Sequence, residues 1–587
     1  MNKTFLAAAA LMLVASTAHA QQQRDPNSMG GGNCADNVYN CATTPNPLPA
    51  PNTVWIEEMT WMDVRDALAD GKTTVIIPTG GVEPNGPWLA TGKHNFVLRA
   101  NCDAIARELG NALCAPIIKL VPEGDIEPPS SHMTSPGTIS MRQETFEAML
   151  TDVAHSLKMH GFRNIIFIGD SGGNQSGQRA VAERLNAKWD GTVVAHVQEY
   201  YDYATVTRYM EFRGLRQGEG DGLHDDPVIA LNMFADDPSS IRYAERAATG
   251  NATINGVSLA DRVQNVEWAR EIVSFRATET ARHVRRAIGQ GGTTPTPQRA
   301  GGGGGRGGQG FQRPAPDPRS MGGGECSASP FNCVDTPNPL PAANTVWIED
   351  MTWMDVRDAL GMGKTTAIIA TGGMEPNGPW LVTGKHNYVL RANCDRIARK
   401  LGDALCAPIL ELVPEGGIEP PTGHMTSPGT ISLREETFAA VLTDMAESLR
   451  QHGFDNIVFI GDSGGNQRGM ESVATALNAK WGGAAKAHFI AEYYRAPAGS
   501  RDVLRELGVT RDGMASDGLH DDIGITLNMM LDDPNSVRWA ERVVTGQAVI
   551  NGVDISDLTQ SLVWAEEVAN ERSERTAKLI RERIGME

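Results

Sequence analysis

The chain has 587 residues, of which 41% are hydrophobic and 21% charged, and its formal net charge is −19. That length exceeds what one hydrophobic core serves. The negative balance excludes partners held through phosphate charge, such as nucleic acid and anionic membrane surfaces.

In chain order, residues 1–20 combine an early basic residue (Lys3), an apolar run from Phe5 to Val14 and the small-x-small triplet Ala18-His19-Ala20. This reads as a secretory signal peptide and predicts a periplasmic or secreted protein. The run is shorter than the roughly 20 residues that cross a bilayer, and no later stretch is apolar enough to span. Residues 21–53 form a Pro/Gly-rich arm, residues 54–290 a first domain, residues 291–318 a Gly-rich linker that cannot contribute a core, residues 319–345 a second arm and residues 346–587 a second domain.

Within the first domain, short β-branched runs alternate with longer helical patterns. Strands are expected over Thr74–Ile77, Leu113–Val121 and Asn164–Gly169, and helices over Phe96–Leu109, Glu144–Met159 and Asn174–Trp189. Such alternation predicts an α/β fold with a mostly parallel sheet covered on both faces. Ligands then bind at the carboxyl ends of the strands, where both the EPNGPWL and GDSGGNQ segments begin.

The second domain repeats the first. GG-x-EPNGPWL-x-TGKHN occurs at Gly80–Asn95 and again at Gly372–Asn387, and the pairs Glu83/Glu375, His94/His386 and Ser171/Ser463 share one offset (375 − 83, 386 − 94 and 463 − 171 are all 292). The chain is therefore a tandem duplication. Eight cysteines fall at matching places, and in an oxidising compartment they predict the pairs Cys34 with Cys41, Cys102 with Cys114, and their counterparts. A zinc cluster is the rival reading, but the spacing lacks a knuckle.

The ordered set Gly-Gly-x-Glu-x-x-Gly-Pro, His132-Met133-x-x-Pro136-Gly137-Thr138-Ile139-Ser140, His160-Gly161-Phe162-Arg163-x-Ile165 and Gly172-Gly173-Asn174 resembles the creatininase (creatinine amidohydrolase) family. The resemblance implies two tandem α/β/α sandwich domains, a metal-dependent hydrolase of cyclic or unactivated C–N bonds, a divalent ion such as zinc or manganese, a small-molecule substrate and a homo-oligomer. The sequence also departs from the family pattern. Asn85 and Asn377 stand where a histidine ligand is usual, His94 and His386 replace an aspartate, Ser171 and Ser463 replace a histidine, and Ile229 and Ile525 replace a glutamate. A two-metal site is therefore not expected, which leaves a mononuclear site or none.

Glu83, His94 and Asp170, with Glu375, His386 and Asp462, are the expected metal ligands, Asp225 or Asp226 being alternatives for the third. His224 and His520 are the expected proton shuttles. Asn85, Trp88 and His132, with Asn377, Trp380 and His424, are expected to face the substrate, and Glu199 and Glu492 end strands that could face the same pocket. Two further readings stand beside this one. Gly169-Asp170-Ser171-Gly172-Gly173 spells a nucleophile elbow, making Ser171 and Ser463 serine-hydrolase nucleophiles with His224 and Asp221 or Asp225. Alternatively, the duplicated protein has kept the fold, lost the chemistry and binds without turnover. In the first case Ser171 attacks substrate, and in the second it only caps a helix.

Overall fold

The computed structural model describes residues 27–28, 32–218, 220, 224–289, 319–321, 324–495, 497–511, 513–514 and 519–586. Residues 1–20 and 291–318, expected to be a signal peptide and a linker, lie outside them.

In the first half the elements run α1 (Trp61–Ala69), β1 (Thr74–Thr79), α2 (Lys93–Leu109), β2 (Ala112–Cys114), α3 (Gln143–Met159), β3 (Asn164–Gly169), α4 (Gln175–Lys188), β4 (Val193–His196), α5 (Tyr203–Phe212), α6 (Pro227–Asp236), α7 (Tyr243–Thr249), the hairpin β5 (Thr253–Ile254) and β6 (Val257–Ser258), and α8 (Arg262–Gly289). The sheet is ordered β2-β1-β3-β4 and every pairing in it is parallel. Its central strands are apolar on both faces, β1 being buried throughout, because helices cover both sides.

The second half repeats this as α9 (Trp353–Gly361), β7 (Thr366–Thr371), α10 (Lys385–Leu401), β8 (Ala404–Cys406), α11 (Glu435–Gln451), β9 (Asn456–Gly461), α12 (Gln467–Trp481), β10 (Lys486–Phe489), α13 (Glu492–Arg495), α14 (Pro497–Glu506), α15 (Ile523–Asp532), α16 (Trp539–Val544), the hairpin β11 (Val549–Ile550) and β12 (Val553–Asp554), and α17 (Leu558–Ile584). Its sheet order is β10-β9-β7-β8.

The expected strand Leu113–Val121 is mostly loop. Pro116 has no N–H to donate, so the ladder stops at Cys114, and the chain touches the sheet again through a single bridge, Ile118 with Thr79, before Val121 bridges to Ser140 in a loop. That irregular run carries Glu123 to the site. The expected helix Phe96–Leu109 starts earlier, at Lys93, so Lys93 and His94 occupy its first turn. All four disulfides have the expected partners: Cys34–Cys41, Cys102–Cys114, Cys326–Cys333 and Cys394–Cys406.

The halves embrace reciprocally, as two copies do about a twofold axis. Arg142 reaches Asp444 and Glu447 on α11, while Arg434 reaches Asp152 on α3. His160 Nε2 donates to the Thr430 carbonyl at 2.8 Å, and His452 Nε2 to the Thr138 carbonyl at 2.9 Å. Each arm lies on the opposite half: Tyr39 packs on Trp380, and Phe331 on Trp88. A single apolar cluster runs through both halves, joining Ile56, Val64 and Phe146 with Val356, Phe438 and Leu442.

Candidate functional site

The polar groups gather where β1 and β3 end, as expected for the carboxyl edge of a parallel sheet. After β1 the chain turns at Gly80-Gly81. Gly81 has φ +151°, and a Cβ there would lie 2.1 Å from Glu123 Oε1, so only glycine lets this carboxylate approach the backbone. The turn presents Glu83. Asn85 ties the turn together by donating from Nδ2 to the carbonyls of Glu83 (2.9 Å) and Ala90 (3.2 Å). The next loop is hydrogen-bonded to the other half, with Thr91 Oγ1 donating to the Ile348 carbonyl at 2.7 Å and Gly92 N to the Glu349 carbonyl at 2.9 Å. The pairing of halves thus sets where α2 begins, and its first turn supplies Lys93 and His94.

Glu83 Oε1 lies 2.7 Å from Lys93 Nζ and 3.0 Å from His94 Nε2, and Glu83 Oε2 lies 2.9 Å from His132 Nδ1. His132 Nδ1 is also 3.3 Å from Glu123 Oε2, which accepts from Ser171 Oγ at 3.2 Å. Behind His94, Asp170 Oδ2 is 2.8 Å from Nδ1. Asp170 also accepts from the Tyr203 hydroxyl at 2.7 and 2.9 Å and from Arg276 at 3.1 Å. This carboxylate fixes the imidazole with its Nδ1 toward Asp170 and its Nε2 toward Glu83, as a supporting carboxylate does for a metal-ligating histidine.

His94 Nε2 and Glu123 Oε1 are buried and make no hydrogen bond, although His94 Nε2 stands within ion-pair distance of Glu83. Together Glu83, His94 and Glu123 offer three ligand atoms within 4.8 Å of one another, as do Glu375, His386 and Glu415. An oxygen–nitrogen–oxygen set with two orphaned atoms fits a divalent first-row cation.

The second site repeats the distances closely: Glu375 to Lys385 is 2.7 Å, to His386 3.0 Å and to His424 3.0 Å, and His386 to Asp462 is 2.8 Å. Arg572 pairs with Asp462.

These contacts shift the titrations. Burial favours a neutral Glu83, but Lys93 and His94 outweigh it and hold this carboxyl well below its usual range. Burial and the Glu83 charge push Glu123 up to about 7. Burial opposes charging of His132 and His424, yet their carboxylate hydrogen bonds raise both to about 10. Burial, with the Lys93 or Lys385 ammonium, lowers His224 and His520 to about 4.

Of the expected residues, Glu83, His94, His132, Ser171 and His224 line one cavity of about 670 Å³, and their counterparts line one of about 1300 Å³. His224 Nδ1 is 4.0 Å from Glu83 Oε1, and His520 Nδ1 is 3.8 Å from Glu375 Oε1.

The other expected residues have partners of a different kind. Asp170 and Asp462 stand behind the histidines as their orienting partners, not in the ligand trio. Asp225 is committed to Arg246 at 2.8 Å, and Asp226 caps α6 through the amides of Val228 and Ile229. Asn85 and Asn377 hold turns. Trp88 and Trp380 face away from the cavities, each stacked under a guanidinium, Arg246 or Arg542 at 5.1 Å. Glu199 and Glu492 pair outside with His283 and Arg583. Ser171 hydrogen-bonds to Glu123 and to Gly173 N, so no serine–histidine relay forms among the described residues.

Sequence reasoning missed Glu123 and Glu415, which complete the trios. The shared Pro-Glu-Gly at Pro122–Gly124 and Pro414–Gly416 was the available signal. It also missed the buried Lys93 and Lys385, which stand inside the repeated motif.

A curated relative from Thermotoga maritima, 3-dehydro-scyllo-inosose hydrolase, is 28% identical over 125 residues, which are 21% of this chain and 38% of that protein, so the match spans well under half the relative's length. Solved structures of a creatinine amidohydrolase (creatininase) and of a manganese creatininase are each 18% identical; they cover 42% and 41% of this chain and all of their own, with TM-scores of 0.29 and 0.30. The family model for creatinine amidohydrolase matches residues 57–284 and again 349–568. With both halves matched over most of their length, the chain belongs to the creatininase family.

Proposed function

We propose that the protein is an exported hydrolase that carries one divalent ion, zinc or manganese, in each half and acts on a small cyclic amide or a related C–N bond. The observation that carries this is the buried trio Glu83, His94 and Glu123, repeated as Glu375, His386 and Glu415, each lining a cavity and each with one carboxylate oxygen, Glu123 Oε1 or Glu415 Oε1, buried without a hydrogen bond. The Thermotoga relative is by name a hydrolase, which supports hydrolysis as the reaction. The four disulfides support an oxidising compartment, periplasmic or extracellular. Among the described residues no helix is long and apolar enough to cross a membrane. A homo-oligomer of the tandem chain is part of the proposal.

A divalent ion held by the trio would supply Lewis-acid polarisation of the scissile carbonyl. The protein's own groups have separable tasks. Asp170 keeps His94 in one tautomer and one orientation. His132, charged at neutral pH, holds the carboxylates of Glu83 and Glu123 together and offers a donor at the cavity wall. His132 and Ser171 engage Glu123 at Oε2, which leaves its Oε1 toward the trio. His224 is uncharged at neutral pH and can accept a proton at a ring nitrogen, and it stands 5.6 Å from the His132 ring.

Metal analysis tests the reading. The purified chain should hold up to two divalent ions, and Glu123→Gln with Glu415→Gln should lower metal affinity by about tenfold or more while the protein stays folded. Chelation should abolish hydrolysis of cyclic amides, and Ser171→Ala with Ser463→Ala should leave the metal in place. A chain that binds no divalent ion and hydrolyses no cyclic amide would instead be a duplicated binding protein.

A further inference from the structure

The two cavities share their floor and differ in one wall. In the first half, α5 brings the Tyr203 hydroxyl onto Asp170, and the phenol fills space beside the site. The residue two places after Tyr201 is this tyrosine, whereas two places after Tyr494 stands Ala496. Asp462 accordingly has no tyrosine partner among the described residues, and the second cavity, at about 1300 Å³, is about twice the first.

The added wall is cationic. Arg501, Arg505 and Arg511, on α14 and the turn after it, line the second cavity, whereas no arginine lines the first among the described residues. Arg505 pairs with Asp502 at 3.0 Å, and Arg434, also on the cavity, is engaged by Asp152. Arg501 and Arg511 have no carboxylate partner among the described residues.

Several of the acidic groups that line the second cavity are occupied, and Glu435 and Glu436 lie at the start of α11. Glu375 and Glu415 hold Lys385 and His424, and Asp522 caps α15 through Gly524 N at 2.9 Å. Two guanidiniums at the mouth of a roomy cavity, each able to hold a carboxylate through paired N–H groups, suit an anionic ligand longer than the first cavity admits.

We infer that the two sites have diverged in specificity: the second half takes a carboxylate-bearing substrate whose anionic end rests on Arg501 and Arg511, and the first half takes only smaller, uncharged ones. This rests on the reading of both cavities as substrate sites, but its test requires no turnover. Calorimetric titration of the full chain with glutarate, a five-carbon dicarboxylate, should give one site per chain. Arg501→Gln with Arg511→Gln should weaken that binding by about tenfold or more, since charge-assisted pairs with carboxylates are lost. Because both arginines are exposed, the thermal melt of this variant should match the parent. Binding of 2-piperidone, neutral and small, should be unchanged. High salt should weaken glutarate and leave 2-piperidone alone. Two equal glutarate sites per chain, no glutarate binding, or a double variant that binds glutarate as tightly as the parent would each overturn the inference. Loss of metal binding or hydrolysis alone would bear on the proposed reaction and not on this asymmetry.

Discussion

His160 and His452 make the stability of the paired halves depend on pH in a way the structure allows to be calculated. Each ring donates to a carbonyl of the opposite half, Thr430 or Thr138, in the loop that carries His424 or His132. Burial lowers each from 6.5 to about 4. In the unfolded chain the rings regain their ordinary affinity, so between about pH 6.5 and pH 4 the unfolded state binds more protons. The stability contributed by neutral burial is therefore complete above pH 6.5 and is lost as pH falls toward 4. At about 1.4 kcal/mol for each pH unit between 6.5 and 4, neutral burial contributes about 3 kcal/mol per ring as an upper limit, since both residues keep some contact with solvent. At pH 4.5, most of this is already gone, about 5 kcal/mol for the pair at the limit.

The perturbation is His160→Gln with His452→Gln, which keeps an N–H for the carbonyl and removes the titration. Urea unfolding of parent and variant at pH 7 and pH 4.5 gives the comparison, and because both carry the same buried carboxylates, those contributions cancel in the difference. The parent should lose several kcal/mol more than the variant on acidification. Equal losses in the two proteins would refute the assignment of these rings as neutral and buried.

Two further outcomes follow from the same interface and the disulfide frame. Asp63→Ala should cost about 2–4 kcal/mol in urea unfolding, because it removes the charge-assisted bond, 2.7 Å long, from the buried Arg538 guanidinium, which keeps Glu541 and the Pro49 carbonyl, and breaks the capping box with Thr60; a loss below about 1 kcal/mol would contradict the burial of that pair. Removing the Cys102–Cys114 crosslink as the double alanine variant should cost about 3 kcal/mol by the chain-entropy argument for a closed loop of that size, and unchanged thermal stability would show that α2 and β2 are held by packing alone.

Much was legible because duplication turned one sequence into two readings. The common offset marked Glu83, His94, His132 and Ser171 with their partners, His224 and His520 matched across a segment of different length (520 − 224 is 296), and alternation of strand and helix signals placed the strand ends at one edge of a parallel sheet. Disulfide pairing was legible as well, because each Cys pair is close in sequence and recurs. These are local properties: a turn rich in glycine, a strand of β-branched residues and a short loop between two cysteines carry their geometry in neighbouring residues.

Tertiary structure decided which polar residues meet. Glu123 reaches the trio through an irregular run that leaves the sheet at Pro116 and has no period to betray it, while Asp170, equally acidic and equally repeated, is drawn back to orient His94 by Arg276 from α8, 106 residues along the chain. Trp88 sits in the most conspicuous motif but is turned outward by Arg246 and by Phe331 of the opposite arm. The loop before α2, which carries Lys93 and His94, is fixed by carbonyls of the other half. Proximity in a fold depends on which surfaces bury one another, and that is settled by the pairing of the two halves, contacts hundreds of residues apart that no local pattern encodes.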